Sequence, residues 1–489
     1  MIRPWWTLLT LLIVGALCGM LMLIFPDDGV KLGTVELTFP TWRSFLAEDS
    51  VDAPNVNELL EDYALAIDST SIHDSISTYR AEQRKKLLAL QLPKGDHPLK
   101  GFVESLERTG QKQIRVLHYG DSQIEGDRIS SFLREQWQRE YGGWGPGALP
   151  AVEFVPNFSV EQEASSNWQR FTRFGKLDTN IRHDAYGFRA IFNRFTPYYK
   201  DSLPPVDTVE AWLRYSPSRM GFSHVRRFDR ARLFFGQNRF SFRLMVFADG
   251  KRILDRKIGP TGTSGLVDIP LEKTPKELEF RFRSLDGPDV YAVSLESPTG
   301  IHLDNIAMRG ASGVVFRKLD RSQLAIQLQQ LDVGLVILQY GGNTVPYIDS
   351  EKKAEQYGSY FASQLRLLKR LLPNAGFVLI GPSDMATKVD GEFQTYPFLP
   401  SVRDALKKAA LENGVAFWDL YEVMGGWNSM PGWVDAKPPL AGPDYVHFTP
   451  KGAKKVAELF HAALDKEIRK IQRSQADSIV EPADSTILP

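Results

Sequence analysis

Three side chains, far apart in this chain of 489 residues, are of the types needed to turn a hydroxyl into a nucleophile. Ser122 follows the run Val116-Leu117-His118-Tyr119-Gly120-Asp121, and the segment Asp444-Tyr445-Val446-His447 comes more than three hundred residues later. A serine hydroxyl attacks poorly until a base removes its proton, and a histidine serves as that base when a carboxylate orients its ring. Asp444, three positions before His447, supplies such a carboxylate. Each piece also has a plainer reading. Gly-Asp-Ser is good turn chemistry anywhere. Thr449-Pro450 reads as a helix N-cap followed by proline at the first helical position, which would leave Asp444 and His447 as loop decoration. The conjunction carries the chemistry.

Two further segments complete a reacting centre. Val336-Ile337-Leu338-Gln339-Tyr340 is an apolar run ending in Gly341-Gly342-Asn343. An asparagine amide at a strand end is placed to donate to the oxyanion of a tetrahedral intermediate. The stretch from Asn305 to Gly313 offers a glycine N–H, because a residue without Cβ lets the main chain approach a substrate closely.

These groups need a scaffold that gathers them. Ile114 to Tyr119 reads as a buried strand and Ile129 to Glu140 as a helix, so the turn between them presents Ser122 at the carboxyl end of a parallel strand, where open α/β sheets bind ligands. Phe377 to Ile380 and Ala416 to Asp419 read as further strands. Helical patterns run from Glu351 to Leu372, from Val402 to Leu411 and over 450–472. Strands alternating with helices predict a parallel sheet. His118, inside the first strand, is expected to be structural.

At these residues the chain resembles the SGNH (GDSL-type) hydrolase superfamily, whose signature is four short blocks in fixed order. The resemblance implies that Ser122 is the nucleophile, that Gly310 is the oxyanion glycine, with Gly313 a second reading of the same stretch, that Asn343 is a further oxyanion donor beside the Ser122 N–H, and that Asp444 and His447 complete the triad. It also implies a three-layer α/β/α sandwich of flavodoxin-like type. The wider run Gly120 to Arg128, the loop from Gly142 to Gly147 and the stretch from Pro439 to Gly452 look like a membrane-anchored or exported bacterial subgroup.

One departure from the family pattern is large. Ser122 and Gly310 lie 188 positions apart, where compact members need a strand and a helix. Leu278, Phe280 and Phe282 alternate with Glu279, Arg281 and Arg283, as a half-buried strand does. Phe240, Phe242, Leu244 and Val246 repeat the pattern, and Asp249-Gly250 and Gly259-Pro260-Thr261-Gly262 read as hairpin turns. An antiparallel β-sandwich is therefore predicted over 156–299. It resembles, in placement and strand content, the jelly-roll, carbohydrate-binding-like modules inserted in bacterial peptidoglycan O-acetylesterases. Trp168, Tyr186, Tyr198, Tyr199 and Trp212 are either a sugar-stacking platform or core. Arg226, Arg227, Arg230 and Arg232 are either a site for an anionic polymer or a solvated strand face.

Composition bounds the partners and the compartment. Fifty-nine basic and fifty-nine acidic side chains give zero net charge, which argues against nucleic acid, whose phosphates demand concentrated positive charge. The eight histidines lack the paired spacing of a zinc site, so neither metal nor cofactor is called for. Trp5 to Phe25 carries no charge and is long enough to cross a hydrocarbon core of ~30 Å. Arg3 before it and Asp27-Asp28 after it orient the chain with its amino terminus in the cytoplasm. A signal anchor, single-pass in a bacterial inner membrane with the catalytic domain in the periplasm or otherwise outside the cytoplasm, is the expectation; a cleaved signal peptide is the competing one. Cys18, the single cysteine, excludes an intrachain disulfide.

The expected segmentation is a cytoplasmic stub and membrane anchor over 1–30, a partly helical spacer over 31–110, a catalytic domain over 111–155 and 300–472, the inserted β domain, and a disordered tail over 473–489. The activity implied is two-step acyl transfer: a serine esterase forming an acyl-serine and removing O-acetyl groups from a cell-envelope glycan such as peptidoglycan. Resolution of the same intermediate by a sugar hydroxyl would make an O-acyltransferase supplied by a polytopic membrane partner. A glycan-binding scaffold without turnover is the third reading.

Overall fold

The computed structural model describes residues 54–67, 75–198, 207–262 and 264–480, with short pieces nearer the amino terminus. It divides into two units, Met1–Ala53 and Pro54–Pro489. In the first, Val30–Leu32 pairs antiparallel with Val35–Leu37. Most of the predicted span from Trp5 to Phe25, with Cys18, lies outside the described residues, and among those described no helix is long and apolar enough to cross a membrane.

The second unit is built on five parallel strands, β1 (Gln113–Gly120), β2 (Gly300–Ala307), β3 (Val333–Gln339), β4 (Gly376–Ile380) and β5 (Ala416–Trp418), in the order β2-β1-β3-β4-β5. That is the flavodoxin-like order, in which the switch point lies between β1 and β3. Every residue of β1 is buried, as expected of a parallel strand covered on both faces. Successive side chains go to opposite sides. Val116, Ile337 and Ile380 join one apolar cluster with Leu133, Trp137 and Phe460, while Leu117, Leu338 and Leu379 join another with Leu324, Phe361 and Leu406. The period-two pleat thus feeds two helical layers, giving an α/β/α arrangement.

Both ends of this domain extend beyond the sequence expectation. Val56, Leu59, Tyr63 and Leu88, in the stretch expected as a spacer, are buried in the first cluster, and Tyr63 Oη donates to the Val423 carbonyl at 2.8 Å. The last helix, from Pro450, continues past Gln472 to Val480, because no proline or glycine interrupts it until Pro482. Residues 473–480 are therefore helical rather than part of a disordered tail.

Between β1 and β2 the chain forms two antiparallel sheets. One runs Lys251–Ile258, Phe242–Ala248, Leu278–Ser284, Val209–Pro217, Val160–Ala164; the other runs Gly265–Pro270, Arg230–Gly236, Asp289–Glu296, Ile191–Arg194, Gln169–Thr172. Leu213, Leu244 and Phe280 of the first share an apolar cluster with Leu233, Val267 and Val293 of the second. Asp249 and Gly250 close a two-residue hairpin with φ of 51° and 77°, the positive values that match the twist of the flanking strands. Gly147–Leu149, expected on the catalytic side of the boundary, pairs with Asp289–Glu296, so the second sheet recruits chain from before the insert. Arg115 on β1 ties the parts together: it is fully buried, donates to Asp304 of β2 at 2.7 Å and forms an ion pair with Glu296 of the insert sheet.

The aromatic residues considered for sugar stacking do not form one open platform among the described residues. Trp168 meets Phe195 and Phe282 edge-on at 5.2 and 5.4 Å, Tyr186 is buried beside Phe192, Tyr198 bonds Asp289 at 3.1 Å, and Trp212 lies half-buried under the Arg214 guanidinium. Tyr199 lies outside the described residues. The arginines do not form one open face either: Arg230 pairs with Asp268, Arg232 is buried beside Glu296, and Arg227 covers the Trp144 ring.

Candidate active site

Ser122 opens a 3-10 turn, Ser122–Asp127, at the carboxyl end of β1. Asp121 caps that turn, its Oδ1 accepting the Gln123 N–H at 3.0 Å, so the residue before the serine fixes the backbone that presents it. Ser122 Oγ lies 2.8 Å from His447 Nε2. On the far side of the ring, His447 Nδ1 lies 2.7 Å from Asp444 Oδ2. Asp444 Oδ1 accepts the backbone N–H groups of Val446 and His447 at 3.1 and 3.0 Å. One carboxylate therefore shapes the loop with one oxygen and orients the imidazole with the other. Burial raises the Asp444 pKa, but the His447 and Val446 bonds outweigh it and hold the carboxyl below its usual range. The arrangement keeps Nε2 free to accept a proton from the serine.

The loop beyond β3 places Asn343 next to the serine. Gly341, at φ +129°, starts the turn; a Cβ there would meet Leu406 and Pro382 at 3.0 and 3.1 Å. Asn343 Nδ2 donates to Asp121 Oδ2 at 3.0 Å and to the Ala311 carbonyl at 3.3 Å. Asp121 is buried, and burial pushes its pKa up to about 6, against the pull of the Gln123 N–H, His447 and Asn343.

A cavity of about 270 Å³ opens beside these groups, lined by Ser122, Gln339, Asn343, Tyr347, Pro382, Ser383 and His447 among others. Tyr347 stands at it with 80% of its surface exposed. Gly310 occupies the turn closed by the Ala311 N–H to the Met308 carbonyl, at φ +76°. It is not among the residues lining the cavity, and a Cβ there would meet nothing within 4 Å. Gly313, at φ +76°, packs against Phe361 and Tyr340, which makes it a structural glycine. His118 is fully buried, with Nδ1 2.9 Å from Ser130 Oγ and Nε2 3.2 Å from Gln339 Oε1. Burial pushes its pKa down to about 4, so it is a neutral brace beneath the site.

Sequence reasoning did not single out Gln123 and Arg128, which the structure places against the histidine loop. Gln123 Nε2 donates to the Val446 carbonyl at 2.6 Å, and Arg128 donates to the carbonyls of Ser122 and Phe448 at 2.5 and 3.1 Å. Their partners are distant in sequence, and the signal available was their position in the run from Gly120 to Arg128.

Residues 278–460 match the model of the GDSL-like lipase/acylhydrolase family. The matched stretch holds Gly310, Asn343, Asp444 and His447 but begins after Ser122, because the insert separates the first block from the rest. A solved structure of a peptidoglycan O-acetylesterase is 22% identical, with 76% of this chain and 96% of that chain covered and a TM-score of 0.59; the likeness is one of fold. A family two carbohydrate esterase from Clostridium thermocellum, bound to cellohexaose, is 11% identical over 62% of this chain and 99% of that one, with a TM-score of 0.23. A salicylyl-acyltransferase from a tetracycline biosynthetic pathway is 12% identical over 64% and 98%, with a TM-score of 0.25. No curated protein matches the sequence.

Proposed function

We propose that this chain, whose residues 278–460 match the GDSL-like lipase/acylhydrolase model, is a serine esterase that works through an acyl-serine intermediate and removes O-acetyl groups from a cell-envelope glycan, peptidoglycan being the leading substrate. The observation that carries this reading is the relay from Asp444 through His447 to Ser122, with separations of 2.7 and 2.8 Å, at the edge of a cavity of about 270 Å³. A cavity of that size takes a short acyl group, and its open side leaves room for a bulky alcohol portion.

In the first half-reaction His447 Nε2 takes the Ser122 proton as Oγ bonds to the ester carbonyl carbon. The carbonyl oxygen becomes an oxyanion, met by the Ser122 N–H and the Asn343 amide, both of which border the cavity that Gly310 does not line. Collapse breaks the bond to the sugar oxygen, which leaves with the proton held by His447. Water then attacks the acetyl-serine with His447 as base, and acetate departs. The two antiparallel sheets between β1 and β2 are read as an inserted jelly-roll sandwich that helps present a polymer to the site. Trp5 to Phe25 is read as a membrane anchor that keeps the domain outside the cytoplasm; detergent-dependent extraction and protease accessibility in intact spheroplasts test that placement.

The purified full chain should hydrolyse an activated acetyl ester and release acetate from O-acetylated peptidoglycan, and Ser122→Ala should do neither. Equal activity in both proteins would reject the assignment. With an acetyl donor and glycan acceptors present, mass spectrometry showing net acetylation faster than acetate release would reject hydrolysis in favour of transfer.

A further inference from the structure

We propose that Gln123 and Arg128 are positioning residues that hold the His447 loop in register with the Ser122 turn; this role rests on the serine-esterase reading above. The buried side-chain amide of Gln123 grips the backbone on both sides of the base. Its Nε2 donates to the Val446 carbonyl at 2.6 Å and its Oε1 accepts the Phe448 N–H at 3.3 Å. One planar amide thus pairs with the histidine loop much as a neighbouring strand would. The same Nε2 lies 3.3 Å from Ser383 Oγ, across the cavity.

Arg128, at the end of the turn that Ser122 begins, closes the clamp. Its Nη2 donates to the Ser122 carbonyl at 2.5 Å, its Nη1 to the Phe448 carbonyl at 3.1 Å, and its Nε to the Glu125 carbonyl at 2.9 Å. A single rigid guanidinium therefore spans the nucleophile and the residue after the base, in the fork geometry that lysine lacks.

The site needs such a device. Ser122 and His447 are 325 positions apart, and no ladder of strand hydrogen bonds joins their two loops. The base stands on an irregular segment in which the Asp444 side chain is 52% exposed and that of His447 38%. The histidine loop is closed on itself by Gly442 N–H to the His447 carbonyl, at 2.7 Å, which shapes it without attaching it to the serine. A misplacement of about 1 Å at a reacting pair costs about a hundredfold in rate, so contacts that set the Oγ to Nε2 distance act on kcat. A residue that only satisfied buried backbone groups would lower stability and be indifferent to whether His447 is present.

The test uses the purified full chain, an activated acetyl ester, and rates normalised to the folded fraction from thermal melting. Gln123→Met, close in size and unable to make either bond, is expected to lower kcat about 10- to 100-fold with KM held within about twofold. Gln123→Glu keeps the acceptor for the Phe448 N–H and loses the donor to Val446, so it should fall between wild type and Gln123→Met; Arg128→Met should lower kcat in the same way. Combining Gln123→Met with His447→Ala should be no slower than His447→Ala alone, because residues that act as one unit are not additive. Wild-type kcat in folded Gln123→Met, or a full further drop in the His447→Ala background, would overturn the positioning role. If Ser122→Ala is inactive and Gln123→Met is not slowed, only that role falls. If wild type and Ser122→Ala hydrolyse the ester equally, the esterase reading fails and the proposal with it.

Discussion

Asn343 donates an amide N–H to Asp121 Oδ2 at 3.0 Å, so the residue immediately before Ser122 holds the Asn343 side chain at the cavity. The second amide proton of Asn343 faces the Ala311 carbonyl at 3.3 Å. In the proposed mechanism that longer bond is the one exchanged for the substrate oxygen, while the shorter one keeps the amide aimed. The Ser122 turn and the Asn343 amide are thereby held by one carboxylate.

Asn343→Ala removes this donor and should lower kcat by about 10²–10³, equivalent to about 2.7–4 kcal/mol of barrier, with a small change in KM. Steady-state kinetics on an activated acetyl ester measures it. A kcat at the wild-type level would show that the amide does not meet the oxyanion.

Asp444→Asn keeps an oxygen for the loop N–H groups but no longer stabilises the imidazolium or enforces its tautomer. The expected fall in kcat is about 10⁴. Because the Asp444 side chain is half exposed, the melting temperature should barely move. A large drop in melting temperature with kcat preserved would assign the residue to the loop alone.

Asp121 gives stability a definite pH dependence. Its folded pKa of about 6 lies above the ordinary value of about 3.9, so the folded state binds the proton more tightly than the unfolded state. Its contribution is full below the unfolded value and is lost as pH rises through about 6. Asp384, buried and also pushed up to about 6, acts with the same sign. Urea denaturation from pH 4 to 7 should therefore show a smaller loss of stability with rising pH in Asp121→Asn than in wild type. Identical slopes would refute the assignment.

Arg115→Met tests the junction between sheet and insert. The substitution leaves Asp304 a buried carboxylate without its cation and Glu296 with only Arg232 at 3.5 Å, and breaking such a set from one side costs about 3–5 kcal/mol. Chemical denaturation should register that loss. A stability unchanged within about 1 kcal/mol would mean the carboxylates take up protons freely in its absence.

Much of the architecture was readable before any coordinates. The runs over Ile114 to Tyr119, Val336 to Tyr340 and Phe377 to Ile380 are short and mainly apolar, the composition of strands covered on both faces. Leu278, Phe280 and Phe282 announced a half-buried strand by strict alternation, and their exposed neighbours Arg281 and Arg283 agree. Boundaries were harder. Gly147–Leu149 joins the insert sheet through partners nearly 150 positions away, and Val56, Leu59, Tyr63 and Leu88 enter the core of the parallel-sheet domain from a stretch whose sequence reads as a spacer. Burial of a few apolar residues in such a segment depends on what surface the rest of the fold leaves open.

The identities of Ser122, Asn343, Asp444 and His447 were written in local sequence, because turns, strand ends and an i,i+3 carboxylate–imidazole pair depend on neighbouring residues. Which groups make those residues work together was settled only by tertiary structure. Gln123 and Arg128 reach carbonyls and an N–H 320 or more positions away, and Asp121 reaches Asn343 across the sheet. Side-chain hydrogen bonds of that kind have no period and no spacing in the chain; they exist because β1 and β3 lie side by side and bring their loops to the same edge.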